Sequence, residues 1–164
     1  MKEFIIIDGY NIINRESRYN QHKDDLETAR VKLIEDLVNY GALVGCDITV
    51  VFDGSANIGG SERKTNIHGV EVYFTKRGQT ADSLIEKLAY EVKKFKKVVV
   101  VTADYDQQKA VFSEGVLRKT PGEMANEIIE TKNQSLVPKK VKSKRMFLED
   151  RLSEKVRESL RRLI

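Results

Sequence analysis

The chain has 164 residues, of which 40% are hydrophobic and 33% are charged, and this composition predicts one globular core with a heavily solvated surface. Its single cysteine, Cys46, excludes an internal disulfide framework and a thiolate metal cluster. No apolar run approaches the roughly 20 residues that span a bilayer, and the first residues are not those of a signal peptide. We therefore expect a cytoplasmic protein that binds no membrane.

Short β-branched runs alternate along the chain with stretches in which apolar residues recur at helical spacing. The runs predict strands over residues 4–7, 48–52, 70–74, 98–101 and 116–117. The helical spacing predicts helices over residues 26–43, 80–94, 105–113, 120–132 and 147–164. The polar residues 14–24 and the glycine-rich residues 54–69 predict loops. This alternation indicates an α/β fold with a mostly parallel sheet and helices on both of its faces.

Acidic residues follow three of the predicted strands, in the strings IIID, VVFD and VVTAD, which end at Asp8, Asp53 and Asp104. Asp82 lies in the first turn of the helix that Thr80 is placed to cap, and Glu86 follows one turn later. Because parallel strands end at one edge of a sheet, we expect these carboxylates to gather there.

Gathered carboxylates repel one another, so a protein keeps them mainly where a hard cation neutralises their charge. A set of oxygen ligands without histidine or cysteine indicates Mg²⁺ or Mn²⁺, and such ions typically act on phosphate groups. Each acid taken singly also fits a plain structural role, as a turn residue after a strand or as a helix cap.

The strings IIIDGYNII, VVFDG, FTKRGQTADSLIEKL and VVTADYDQQ, in this order, resemble the NYN family of PIN-like nucleases, and within it the YacP type. The resemblance covers about residues 3–132. It implies a PIN-like three-layer sandwich and a Mg²⁺- or Mn²⁺-dependent endoribonuclease that hydrolyses single-stranded messenger RNA in association with the ribosome.

The metal-binding acids of that family match Asp8, Asp82 and Asp104 here, and the Asn of its first motif matches Asn11. The resemblance implies that the three acids hold the metal and that Asn11 positions the metal or the scissile phosphate. Asp53 matches as a supporting or minor ligand, and Glu86 and Asp106 match acidic or polar family positions loosely. With no histidine well placed as a general base, a metal-bound hydroxide would activate the attacking water.

An acidic pocket repels a phosphate backbone, so basic residues are expected to flank it. The candidates lie in the glycine-rich loop, before the Asp82 helix and after the last short strand; they are Arg63, Lys64, His68, Lys76, Arg77, Arg118 and Lys119. Lysines and arginines in loops are also commonly just solvated.

The strongest electrostatic signal lies in the tail. Residues 138–164 hold 10 basic and 4 acidic residues, and Lys139, Lys140, Lys142, Lys144 and Arg145 fall within seven positions. We predict a nuclease domain over residues 1–135 and a basic extension with an amphipathic helix over residues 136–164, which suits an RNA or ribosome surface.

Two other functions remain open from the residues alone. The chain could be a non-catalytic RNA- or ribosome-binding module that retains the acidic pocket, or a phosphatase or nucleotide hydrolase that uses the same acids. The basic loops and tail favour a polymeric substrate over a small nucleotide.

Overall fold

The computed structural model describes residues 2–21, 24–54, 62–103, 115–135 and 142–163, with the side chains of 142–150 left aside. Within these ranges six strands form one sheet in the order β3-β4-β2-β1-β5-β6. The strands are β1 (Glu3–Asp8), β2 (Asp47–Phe52), β3 (Arg63–Ile67), β4 (Val70–Phe74), β5 (Lys97–Val101) and β6 (Val116–Lys119).

Neighbouring strands are parallel except for β3, which pairs antiparallel with β4 at one edge. In the centre, β1 lies between β2 and β5, and Asp8 is in register with Val51. The carboxyl ends of β1, β2, β4, β5 and β6 therefore meet at one edge of the sheet, which confirms the mostly parallel α/β fold.

The described helices are α1 (Gly9–Arg15), α2 (Ser17–Asn20), α3 (Leu26–Val44), α4 (Ala81–Val92), α5 (Pro121–Ser135) and α6 (Lys142–Arg161). The helix α3 ends at Gly45, whose left-handed φ of 74° favours glycine. Thr80 caps α4 as predicted, since its side chain accepts a hydrogen bond from the Ser83 backbone N–H.

The two faces of the sheet bury separate apolar clusters because side chains alternate along each strand. Ile5 and Ile7 face the cluster that α1, α3, α5 and α6 cover, whereas Ile6 and Val100 face α4. No described helix is both long enough and apolar enough to cross a membrane.

The C-terminal half of the tail is part of the larger cluster. Val156 and Leu160 of α6 are 0% and 1% exposed, and α6 packs against α3. The boundary at residue 135 stays a prediction, although the helix beyond it shares the core of the sheet. The first lysines of the tail, Lys139 and Lys140, lie outside the described residues.

Three local expectations were wrong. The loop over residues 54–69 contains the edge strand β3, which is polar and has no apolar alternation to indicate it. Residues 14–20, within the polar stretch 14–24, form the end of α1 and the helix α2. Helix α6 begins at Lys142 rather than near Phe147. The helix expected over residues 105–113 lies outside the described residues.

Candidate active site

Asp8 is the last residue of β1 and the N-cap of α1. Its carboxylate accepts a hydrogen bond of 3.0 Å from the backbone N–H of Asn11, so strand and helix join without a loop. Gly9 makes this junction possible, because a Cβ at that position would lie 2.3 Å from the ring of Phe52. The Asp-Gly pair is therefore a close-packed junction and not a turn.

Asp53 follows β2, and the backbone on either side of it is tied to Thr75 after β4. The Thr75 hydroxyl accepts a hydrogen bond of 2.8 Å from the Gly54 N–H, and the Thr75 N–H donates to the Phe52 carbonyl at 3.0 Å. Thr75 is 0% exposed. This pair of bonds fixes the direction in which the chain leaves β2.

Asp82 reaches the same place from α4, where it lies in the first turn behind the Thr80 cap. A carboxylate in that turn interacts favourably with the positive end of the helix dipole. Because α4 packs across β1 and β2, its N-terminus lies over the edge where those strands end.

The three acids share one open cleft of about 480 Å³. Its lining consists of Asp8, Tyr10, Asn11, Asn14, Arg15, Asp53, Thr80, Ala81 and Asp82. Asp8 is 9% exposed, and its burial, with smaller contributions from the charges of Asp82 and Asp53, raises its pKa to about 6 despite the Asn11 hydrogen bond. The cleft therefore brings three acidic side chains together, and the carboxylate of Asp8 among them is poorly solvated.

The donors in the cleft fit a hard divalent cation. Within the part of the chain that the structure describes, the buried side-chain oxygen of Asn11 has no hydrogen-bond partner, and an oxygen left in that state commonly signals an ion or water that is not seen. Among the described residues, no three acidic, histidine or cysteine side chains are spaced to hold an ion alone. Mg²⁺ is usually held by one or two carboxylates with waters and substrate phosphates completing its shell, so Asp8 and Asp82 suffice in number.

One described residue that was predicted for the site, Glu86, is not brought to the cleft. Glu86 lies one turn further along α4 and is not part of the lining. Asp104 and Asp106 lie outside the described residues, so their place in the site stays a prediction.

Two of the residues that α1 supplies to the site, Asn14 and Arg15, were not predicted from the sequence. Asn14 and Arg15 lie three and four residues after Asn11, so the helix brings all three to one face, which lines the cleft. Treating Asp8 as a helix cap would have predicted this face, since the cap sets where the helix begins.

Arg30 of α3 contacts Tyr10, which is one of the residues that line the cleft. Its guanidinium carbon lies 5.3 Å from the ring centre of Tyr10 and 5.5 Å from that of Phe74, and its Nε donates to the Tyr10 hydroxyl at 3.0 Å. Tyr10 in turn packs edge-on against Phe52, with ring centres 5.2 Å apart.

The predicted RNA-binding residues outside the tail differ in their surroundings. Lys76 and Arg77 are exposed in the loop that precedes α4, and Arg118 is exposed on β6. The side chains of three others are engaged within the protein: Arg63 donates to the Leu163 carbonyl, Lys64 pairs with Glu71, and Lys119 pairs with Glu127.

The position of His68 contradicts the prediction that this residue flanks the acids. It lies in the turn between β3 and β4, with φ of 48°, beside Asp47 at the start of β2. That is the amino-terminal edge of the parallel strands, opposite the cleft, because β3 runs antiparallel and carries the chain away from the site.

Both a family model and a known bacterial protein match most of the chain. Residues 5–164 match the family described as the YacP-like NYN domain. A Bacillus subtilis (strain 168) protein called YacP, described as uncharacterized, is 38% identical over 128 residues, which cover 77% of this chain and 75% of that protein.

Two crystal structures of Rae1 (YacP) from Bacillus subtilis share the architecture. The chain matches a mutant form of Rae1 with a TM-score of 0.72 and 34% identity, over 95% of this chain and 90% of that one. The match to the other structure has the same TM-score and identity over 96% and 92% of the two chains. The region matched by the family model includes the helix α6, which packs into the core.

Proposed function

The chain belongs to the YacP-like NYN family of PIN-like nucleases, and on this premise we propose that it is a metal-dependent endoribonuclease that cuts single-stranded messenger RNA. The observation that supports this most is the meeting of Asp8, Asp53 and Asp82 in one cleft, where the pKa of Asp8 is raised to about 6. Carboxylates gathered in this way repel one another, and a bound cation and the phosphate group on which it acts give them a function.

The described residues have separate tasks in this proposal. Asp8 and Asp82 would hold a Mg²⁺ or Mn²⁺ ion, Asn11 would position the ion or the scissile phosphate, and Asp53 at the end of β2 would be a supporting or minor ligand. When bound, such an ion supplies an activated water and offsets charge on the phosphodiester in the transition state. Asp104 is proposed as a further ligand, as the family resemblance implies.

Arg15 adds a contact that the acids cannot make. It is exposed at the rim of the cleft, where a guanidinium can hold a phosphate oxygen in two hydrogen bonds. Lys76 and Arg77 stand at the loop before α4 and guide the strand on either side of the cut. The cleft is open, which suits a polymer passing through it.

The ribosome is proposed as the place of action in the cytoplasm, on the family resemblance and on the charge of the tail. Lys139, Lys140, Lys142, Lys144 and Arg145 form a dense basic run, and such runs bind the phosphates of structured RNA. The helix α6, which follows this run in sequence, is anchored in the core through Val156 and Leu160.

The experiment is cleavage of a labelled single-stranded RNA by the purified full chain with Mg²⁺ or Mn²⁺. We expect Asp8→Asn and Asp82→Asn each to reduce the rate by about a hundredfold or more, since each replaces a charged ligand of the ion by a neutral amide. Asp47→Asn, at the opposite edge of the sheet, is the matched control and keeps the rate. Full activity of either cleft variant contradicts the proposal.

Two outcomes of the same assay would favour the other functions. Binding of RNA or ribosomes with no metal-dependent cleavage of any message would indicate a non-catalytic module. Hydrolysis of a nucleotide without cleavage of RNA would indicate a small-molecule hydrolase.

A further inference from the structure

The end of α4 and the turn after it expose two aromatic rings among lysines. Tyr90 is 60% exposed and Phe95 is 77% exposed. Lys87, one turn before Tyr90, and Lys94, one turn after it, are also exposed. We call these four residues with Lys93 the basic aromatic surface.

Two lysines of this surface lie against the ring of Tyr90. The ammonium nitrogens of Lys93 and Lys94 lie 4.9 Å and 5.0 Å from the centre of the Tyr90 ring, which is within the range of a cation–π interaction. Lys96 and Lys97, the next two lysines, form ion pairs with Asp47 and Glu3 and are not counted in this surface. The only exposed acid between Lys87 and Lys94 is Glu91, so the surface is net positive.

The surface and the cleft are connected by one helix. Asp82 in the first turn of α4 lines the cleft, and Tyr90 follows it by eight residues, which is about 12 Å along the helix axis at 1.5 Å per residue. Ser83, Lys87 and Tyr90 are exposed along the outer side of α4, and Lys94 is exposed in the turn that follows it. A strand that leaves the cleft can therefore follow this side without crossing the core.

We propose that the basic aromatic surface binds single-stranded RNA, with bases stacked on Tyr90 and Phe95 and phosphates held by Lys87 and Lys94. Exposed rings set among cations are how proteins hold single strands without reading their sequence. A protein partner fits less well, because lysine is depleted at the centres of protein interfaces. The proposal rests on the proposed function for the identity of the strand as substrate, but the binding itself needs no cleavage.

The test measures binding of a labelled single-stranded RNA of about 12 nucleotides by fluorescence anisotropy. The full chain carries Asp8→Asn, and the buffer contains a chelator, so that nothing is cut. We expect the double variant Tyr90→Ala, Phe95→Ala to bind about tenfold more weakly. Tyr90→Phe keeps a ring for stacking and should retain the affinity.

Two controls separate stacking from general effects. Leu43→Ala removes an apolar side chain that is 54% exposed on α3, away from the surface, and should leave binding unchanged. Lys94→Gln should reduce the slope of log affinity against log salt by about 0.7 if it contacts one phosphate of a single strand.

The proposal is overturned if the double variant binds RNA as tightly as its parent. It is also overturned if vesicles of phosphatidylserine and phosphatidylcholine bind the surface and RNA does not. Its failure is separable from failure of the proposed function: weaker binding by the double variant, in a protein that never cleaves RNA, would keep this surface and remove the nuclease. Unchanged binding, with cleavage lost in Asp82→Asn, would do the reverse.

Discussion

Asp8 has both a structural and a chemical task. As the cap of α1 it satisfies the Asn11 N–H, and as a buried carboxylate beside Asp82 and Asp53 it carries a charge that burial disfavours. The first task stabilises the fold and the second destabilises it when no cation is bound. These opposing effects can be separated, because asparagine caps a helix about as well as aspartate and has no charge.

Asp8→Asn should therefore raise the free energy of unfolding of the metal-free protein at pH 7.5. The folded pKa of about 6 lies above the ordinary value of 3.8, so the ionised group opposes folding above pH 6, by at most about 3 kcal/mol at 1.36 kcal/mol per pKa unit. The difference should shrink as pH falls from 6 towards 3.8 and vanish below it. Urea unfolding at several pH values measures this.

Asp47→Asn is the control for this prediction, because its carboxylate is paired with Lys2 and Lys96 and its pKa is lowered by them. Its substitution should leave the stability equal or slightly lower at pH 7.5. Loss of stability in Asp8→Asn at neutral pH would contradict a buried charge that opposes folding.

Gly9 offers a second test at the residue scale. Gly9→Ala places a Cβ against the ring of Phe52, and overpacking of this kind costs about 1–3 kcal/mol. Gly122→Ala, early in α5, meets its nearest atom at an ordinary 3.6 Å and should stabilise the protein by up to about 1 kcal/mol. Thermal unfolding of both variants measures the opposite signs; a neutral Gly9→Ala would contradict the close-packed junction.

The acids at the strand ends were predictable because a strand that is buried on both faces is recognised by its β-branched run, and its end is then visible. The contribution of Asn14 and Arg15 was not, because it depends on where α1 begins. The pair Asp8-Gly9 has the composition of a turn, whereas in the structure Asp8 caps α1 and Gly9 packs against Phe52, which is far away in sequence.

At the scale of elements, those with many buried apolar residues were predicted well, and the polar strand β3 was not. Helices α3 and α4 and strands β2 and β4 have apolar periodicity and were predicted nearly to the residue. Strand β3 is polar and owes its form to pairing with β4, so no local signal marks it. Placing His68 beside the acids failed for the same reason, because the direction of β3 was unknown.

Helix α6 gives the test at this scale. Leu160 is 1% exposed within the main core, so Leu160→Ala should lower the free energy of unfolding of the whole protein by about 2–5 kcal/mol. Leu117→Ala, at a side chain that is 48% exposed on β6, is the control and should cost far less. Unfolding followed by circular dichroism and by tyrosine fluorescence should give one transition.

Two separate transitions, with Leu160→Ala affecting only one of them, would contradict a shared core. The tail would then be an independent extension beyond residue 135, as its charge alone suggests.

At the scale of the whole molecule, the parallel topology creates the site. The carboxyl ends of β1 and β2 meet because both strands run in one direction, and α4 returns across them so that its N-terminus lies over the same edge. The opposite edge of the sheet carries the ion pairs of Asp47 and the turn at His68. The acids of the cleft at one edge suit a bound cation, and the lysines of the basic aromatic surface suit a polyanion.

The most direct measurement of this account is Mn²⁺ binding to the full chain at pH 7.5, followed by electron paramagnetic resonance of the unbound ion. We predict that the wild-type protein takes up Mn²⁺ and that Asp8→Asn and Asp82→Asn each weaken the affinity by about tenfold or more, whereas Asp47→Asn does not. Equal uptake by the wild type and both cleft variants would contradict a metal site built by these acids.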